Sequence, residues 1–148
     1  MFKKILVPLD GSALAEAIVP QVVELARVHG AELVILRVAL AHAFPGADPT
    51  EAQLQAVRES EAYLEGVEKG LKDRGFHVSS VVRYGHAAEE ILDHAAFAGI
   101  DLIAMSTHGR TGVSRWVLGS VTEKVLRASS TPLLLVRAPG ALPSGAVG

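Results

Sequence analysis

Five short stretches rich in continuous apolar and β-branched residues recur along the chain, at Lys4–Leu9, Glu32–Val38, His77–Arg83, Ile100–Met105 and Pro132–Arg137. They show little of the apolar/polar alternation that marks a strand with one wet face. Unbroken runs of this kind belong to strands buried on both faces. Most are followed by a segment whose apolar residues return every three or four positions, the period of a helix with one buried stripe. This alternation predicts an α/β fold, a three-layer sandwich in which a five-stranded parallel sheet is covered by helices on both faces.

The helical segments carry their own boundaries. Ser12 is placed to cap the first, which repeats Leu14, Ile18, Val22 and Leu25 and ends before Gly30. Pro20 lies inside it and predicts a kink, because the ring removes a backbone donor and crowds the preceding turn. The second opens at Asp48-Pro49-Thr50-Glu51, a cap followed by a first-turn proline, and stops at Gly75. The third runs from about His86 to Phe97, with Glu89 and Glu90 in the first turn, where acids suit the helix dipole. Ser120-Val121-Thr122-Glu123 reads as a capping box at the start of the fourth. A small-residue loop at Ala39–Ala47 is long enough to cover a pocket mouth. One domain is expected over residues 1–138, followed by a disordered Ala/Gly/Pro-rich tail at 139–148.

Composition narrows the function classes. A length of 148 residues and a net charge of −2 suit one soluble domain and offer no electrostatic case for nucleic acid or a membrane. The absence of cysteine removes disulfides, thiolate metal sites and a cysteine nucleophile. No apolar run approaches the roughly 18 residues that cross a bilayer, and the N-terminus does not read as a signal peptide. The expectation is a cytoplasmic protein.

Chemistry gathers at two strand ends. One is Pro8-Leu9-Asp10-Gly11-Ser12; the other is Ser106-Thr107-His108-Gly109-Arg110-Thr111-Gly112. Ligands of open parallel sheets bind at the carboxyl ends of strands, beside the point where strand order reverses. In the order 3-2-1-4-5, both loops flank that point. The second is rich in glycine and hydroxyl residues, carries Arg110 and Arg115, holds no acid, and leads to Gly119-Ser120 at a helix start. Small residues and helix amides let backbone donors approach an anion, and arginine adds charge-assisted bonds, so a phosphorylated ligand is indicated. A plainer reading stands beside it: the glycines serve a turn and Ser120 caps a helix. Asp10 likewise has two roles open, a ligand contact or an Asx turn before the first helix. Walker, dinucleotide and nucleophile-elbow signatures are absent from the sequence.

The spacing Ser106-Thr107-His108-Gly109, then nine residues, then Gly119-Ser120 resembles the universal stress protein family. ATP-binding members of that family carry Gly-x-x-Gly, nine residues, then Gly-Ser or Gly-Thr. Ile5–Ser12, Ser120–Val125 and Pro132–Val136 are similar to the family as well, so the resemblance runs from about Phe2 to Val136. It implies a Rossmann-like sheet of the adenine nucleotide alpha hydrolase-like type in the order 3-2-1-4-5, and a homodimer paired along the last strand. It also implies an adenine nucleotide, ATP, ADP or AMP, accompanied by magnesium. By position, Pro8 and Asp10 would line the nucleoside, and the Val38 backbone would meet the adenine edge. Met105, Ser106 and Gly109 would begin the phosphate loop, and Gly119, Ser120 and Val121 would end it, with Arg110 between them as a candidate phosphate contact by its charge. Ser106 departs from the pattern, which has glycine there. Its side chain would either crowd the ligand or add a phosphate contact, and binding is expected to survive because serine is small.

The expected role is that of a regulatory or protective nucleotide-responsive module. The alternatives are a slow ATPase or phosphotransferase using the same loop, and a dimeric interaction protein that binds no nucleotide. No general base, Walker lysine or two-metal cluster is evident, which argues against efficient catalysis. His108 reads as a loop-structuring residue. The other histidines, His94 among them, read as solvated or capping residues, and no metal-binding spacing is present.

Overall fold

The computed structural model describes residues 2–40, 45–108 and 119–138. The expected tail at 139–148, and Gly109, Arg110, Arg115 and Trp116 of the glycine-rich loop, lie outside the described residues. In chain order the elements are β1 (Lys4–Pro8), α1 (Ala13–Glu16), α2 (Val19–His29), β2 (Glu32–Ala39), α3 (Pro49–Asp73), β3 (Val78–Tyr84), α4 (Ala87–Phe97), β4 (Leu102–His108), α5 (Ser120–Ala128) and β5 (Leu133–Ala138). The strands form one parallel sheet in the expected order β3-β2-β1-β4-β5.

The apolar runs become strands because successive side chains enter opposite layers. On one face Ile5, Val7, Leu33, Ile35, Leu102 and Ala104 pack with Val22, Val23 and Ala26 of α2 and with Leu64 and Leu71 of α3. On the other, Leu6, Val34, Leu36, Ile103 and Met105 pack with Ala88, Ile91 and Ala95 of α4 and Val125 of α5. Ile5, Leu6 and Ile103 are wholly excluded from solvent. Truncating any of them to alanine would cost about 2–5 kcal/mol.

Three expectations are corrected. The kinked helix from Ser12 to Gly30 is two helices, α1 ending at Glu16 and α2 starting at Val19 with Pro20 in its opening positions. Proline has no amide to continue the ladder back to Glu16. The chain therefore breaks before it and restarts where the missing donor costs nothing. β4 runs to His108 rather than Met105, because β5 continues beside it with Ser106↔Val136, Thr107↔Arg137 and His108↔Ala138 in register. The capping box at Ser120 does not form. Gly119 takes the extended cap position and its carbonyl accepts from the Glu123 amide at 2.9 Å, which makes Ser120 the first helical residue. The Glu123 carboxylate turns the other way, to Arg127 at 2.8 Å.

The sheet is closed at one end of its central pair and open at the other. At the amino end, Asp101 Oδ2 accepts from the Lys3 amide at 2.9 Å, and the Asp101 amide donates to the Lys4 carbonyl at 3.1 Å. β1 and β4 then share only the registers Ile5↔Leu102 and Leu6↔Ile103. β1 stays with β2 as far as Pro8↔Leu36, and β4 stays with β5 as far as His108↔Ala138. The two central strands part at the point where strand order reverses.

Candidate functional site

That parting opens a cleft of about 360 Å³, lined by Pro8, Leu9 and Asp10 after β1, Leu14 and Ala15 of α1, Leu36 and Val38 of β2, Ala87 of α4, Met105 and Ser106 of β4, and Gly119, Ser120, Val121 and Thr122 at the start of α5. Of the sequence-derived site residues, Pro8, Asp10, Val38, Met105, Ser106, Gly119, Ser120 and Val121 meet in this one space. Gly109 and Arg110 lie outside the described residues. A second groove of about 510 Å³ abuts the cleft, shares Ala87, Ser120 and Val121 with it, and continues past His86, Lys124 and Arg127.

Each wall follows from local structure. Gly11 adopts φ +87°, a conformation that favours glycine, and turns the chain from β1 into α1. Asp10 Oδ1 accepts from both the amide and the hydroxyl of Ser12, and Ser12 Oγ accepts from the Ala15 amide at 3.1 Å. The Asx turn weighed for Asp10 is therefore present. It engages one carboxylate oxygen, while the exposed residue still lines the cleft.

Val38 presents backbone rather than side-chain chemistry. In a parallel strand the backbone groups of alternate residues face the same neighbour. The Leu36 carbonyl accepts from the Leu9 amide at 2.8 Å, so Leu36 faces β1. Val38 has the same parity and lies beyond the last β1 partner, so its amide and carbonyl face the cleft, where among the described residues no strand runs beside them. Donors come from α5. The first amides of a helix have no intrahelical partner, and among the described residues no side chain caps this end. Ser120, Val121 and Thr122 therefore bring backbone N–H groups to the cleft with the positive end of the helix dipole.

Ser106 neither blocks the cleft nor points freely into it. Its half-buried hydroxyl donates to the Ala15 carbonyl at 3.3 Å. Among the described residues no lysine or arginine lines the cleft.

The family model for universal stress proteins matches residues 1–137. The chain belongs to the universal stress protein family. It is 31% identical to the universal stress protein MJ0577 of Methanocaldococcus jannaschii, over 93% of this chain and 96% of that one. The solved structure of MJ0577 superposes with a TM-score of 0.80 at 32% identity, covering 95% of this chain and 99% of that one. A universal stress protein from Burkholderia pseudomallei gives a TM-score of 0.74 at 28% identity, with 91% and 96% covered. The same fold occurs in a universal stress protein solved with cAMP (TM-score 0.61, 20% identity, 93% of this chain and 98% of that one). It also occurs in one from Archaeoglobus fulgidus solved with dAMP (TM-score 0.65, 17% identity, 91% and 98%).

For a universal stress protein, several cleft residues were not legible in advance. Leu14, Ala15, Leu36, Ala87 and Thr122 are ordinary core or helix residues in sequence. Only their position at strand ends and helix starts signals a role. His94 corrects the sequence expectation directly: it is 8% exposed, with Nδ1 lacking a partner, because its helical face is turned onto the sheet. Among the described residues no group of three or more His, Asp or Glu could hold a metal ion, and no helix is long and apolar enough to cross a membrane.

Proposed function

We propose that this universal stress protein binds an adenine nucleotide of the ATP, ADP or AMP type in the β1/β4 cleft and acts in the cytoplasm as a nucleotide-responsive regulatory or protective module. The observation that carries this reading is the opening of the sheet at its reversal point, which is where open α/β sheets take ligands. A volume of about 360 Å³ is in the range of small-molecule clefts. The apolar walls Leu36, Val38 and Met105 suit a planar base, the Val38 backbone suits its hydrogen-bonding edge, and Asp10 stands where a ribose would lie. The start of α5, which no described side chain caps, suits phosphate oxygens. The fold itself accepts such ligands, since proteins that share it have been solved with cAMP and dAMP.

Magnesium would be held mainly by phosphate oxygens and water, the usual mode for this ion, with Asp10 the one carboxylate lining the cleft among the described residues. Calorimetric titration of the purified chain with ATP, ADP and AMP, with and without magnesium, tests the reading. Saturable binding below millimolar ligand is expected. No heat at millimolar concentration of all three would overturn it.

We also propose a homodimer paired along β5. Among the described residues that strand has β4 on one side only, and Leu133, Leu134, Leu135 and Val136 are each left half-buried although the run is apolar. An apolar edge strand is a ready surface for a second copy of the chain. Light scattering on the eluting protein should give twice the mass of the chain, and Leu134→Lys should return it to monomer. A monomer at high micromolar concentration would refute the pairing.

A further inference from the structure

Arg37 sits on β2 between two cleft-lining residues, Leu36 and Val38, but its side chain leaves the sheet on the opposite face. Its guanidinium lies 5.0 Å from the centre of the Tyr63 ring on α3. It also lies against Gly11, where an added Cβ would come within 3.2 Å of Arg37 Nη1. The Tyr63 hydroxyl donates to Glu16 Oε2 at 2.7 Å. β2 and α3 thus hold both ends of one segment, the turn at Gly11 and the last residue of α1.

That segment needs holding. α1 has four residues and buries none of them, and so short a helix does not persist on its own. Yet Leu14 and Ala15 of α1, together with Asp10 just before it, form one wall of the cleft. Tyr63, Arg37 and Glu16 line no part of that cleft.

We propose that Tyr63, stacked under Arg37 and bonded to Glu16, is a positioning residue that sets the affinity of the cleft for its nucleoside by fixing the Asp10–Ala15 wall. The inference rests on the nucleotide reading above. Burial first, then the Glu16 bond and charge, hold the phenol above its usual range, so it remains a donor at neutral pH.

The test uses the full chain with Tyr63→Phe, Glu16→Gln, Glu16→Ala and the double variant Tyr63→Phe/Glu16→Ala. Amide hydrogen exchange is followed without ligand, and AMP and ATP are titrated by calorimetry. Tyr63→Phe keeps the ring beneath Arg37 and removes one hydrogen bond. Exchange at residues 12–17 should quicken roughly threefold or more while α3 is unchanged. AMP and ATP should weaken by the same factor, about 3–10-fold, since the wall serves the nucleoside and not the phosphates. Glu16→Gln retains an acceptor and should stay within about twofold of the unmodified chain, while Glu16→Ala and the double variant should match Tyr63→Phe. Unchanged exchange and affinity in Tyr63→Phe, or Glu16→Gln behaving like Glu16→Ala, would overturn the proposal. If the unmodified chain takes up neither AMP nor ATP, the nucleotide reading and the affinity claim fall together. The exchange comparison then decides separately whether Tyr63 holds α1.

Discussion

The Ser106 hydroxyl donates to the Ala15 carbonyl across 3.3 Å, joining β4 to α1 over 91 positions of sequence. The residue that departs from the family's glycine pattern is thereby committed to the protein. It closes one corner of the cleft by giving a second donor to the Ala15 carbonyl, which also accepts from the Ile18 amide at 3.5 Å.

Replacing Ser106 tests that commitment. Ser106→Gly should cost about 1 kcal/mol of stability through the lost hydrogen bond and added chain freedom. Nucleotide affinity should change by less than about threefold, because the Tyr63–Glu16 tie remains. Ser106→Val places methyl groups in the wall and should weaken ATP by roughly tenfold or more. Thermal melts with calorimetry separate the two effects. A large affinity loss in the glycine variant would mean that the hydroxyl serves the ligand.

Gly119→Asp should move stability and affinity in opposite directions. Gly119 has φ −67° and ψ 158°, an extended cap that any residue adopts, and none of the described residues lies within 4 Å of an added Cβ. An aspartate there would cap α5 and stabilise the fold by about 0.5–1 kcal/mol. The same carboxylate would occupy the amides and repel phosphate, so ATP should weaken more than adenosine. Equal losses for the two ligands would place the phosphates elsewhere.

Asp10 carries two functions that substitution can part. Asp10→Asn keeps an acceptor for Ser12, so its melting temperature should stay close to that of the unmodified chain. A fivefold or greater loss of affinity in that variant, about 1 kcal/mol, would then report the ligand contact. Asp10→Ala should lose the turn as well and be destabilised by about 1 kcal/mol. Full affinity in Asp10→Asn would leave Asp10 as a turn residue only.

His94 makes the fold sensitive to mild acid. Burial chiefly, then the charges of Arg83 and Lys4, lower its pKa below the ordinary value. The unfolded side chain, titrating near ~6.5, takes up its proton before the folded one does. The unfolded state therefore binds more protons as pH falls through ~6.5, and stability declines until the folded group also titrates. His94→Leu should flatten the dependence of denaturation midpoint on pH between about 7 and 5. An unchanged slope would assign the sensitivity to other groups.

The fold class was legible because it depends on patterns that act along the chain. Runs such as Ile5-Leu6-Val7 and Leu33-Val34-Ile35-Leu36 have no polar face to offer water, so they require cover on both sides. Ser12 and Asp48 were legible as caps because each precedes a helix whose start lies immediately beside it. The spaced residues Gly119 and Ser120 were legible for the same reason, as local composition at a helix start. Boundaries that answer to another element were not. Ser106 and Thr107 are polar and read as loop, but β5 beside them keeps them in the ladder. Ser120 reads as a cap, but the chain enters the helix one residue earlier. His94 reads as solvated until α4 turns that face onto the sheet. The cleft belongs wholly to this second group: residues near 10, 38, 106 and 120 meet only because β1 and β4 are neighbours that part after Leu6 and Ile103. Sequence determined which segments are strand and helix, since burial and periodicity are local properties. The tertiary structure decided where the sheet opens and what braces the opening, because both depend on contacts between residues tens of positions apart.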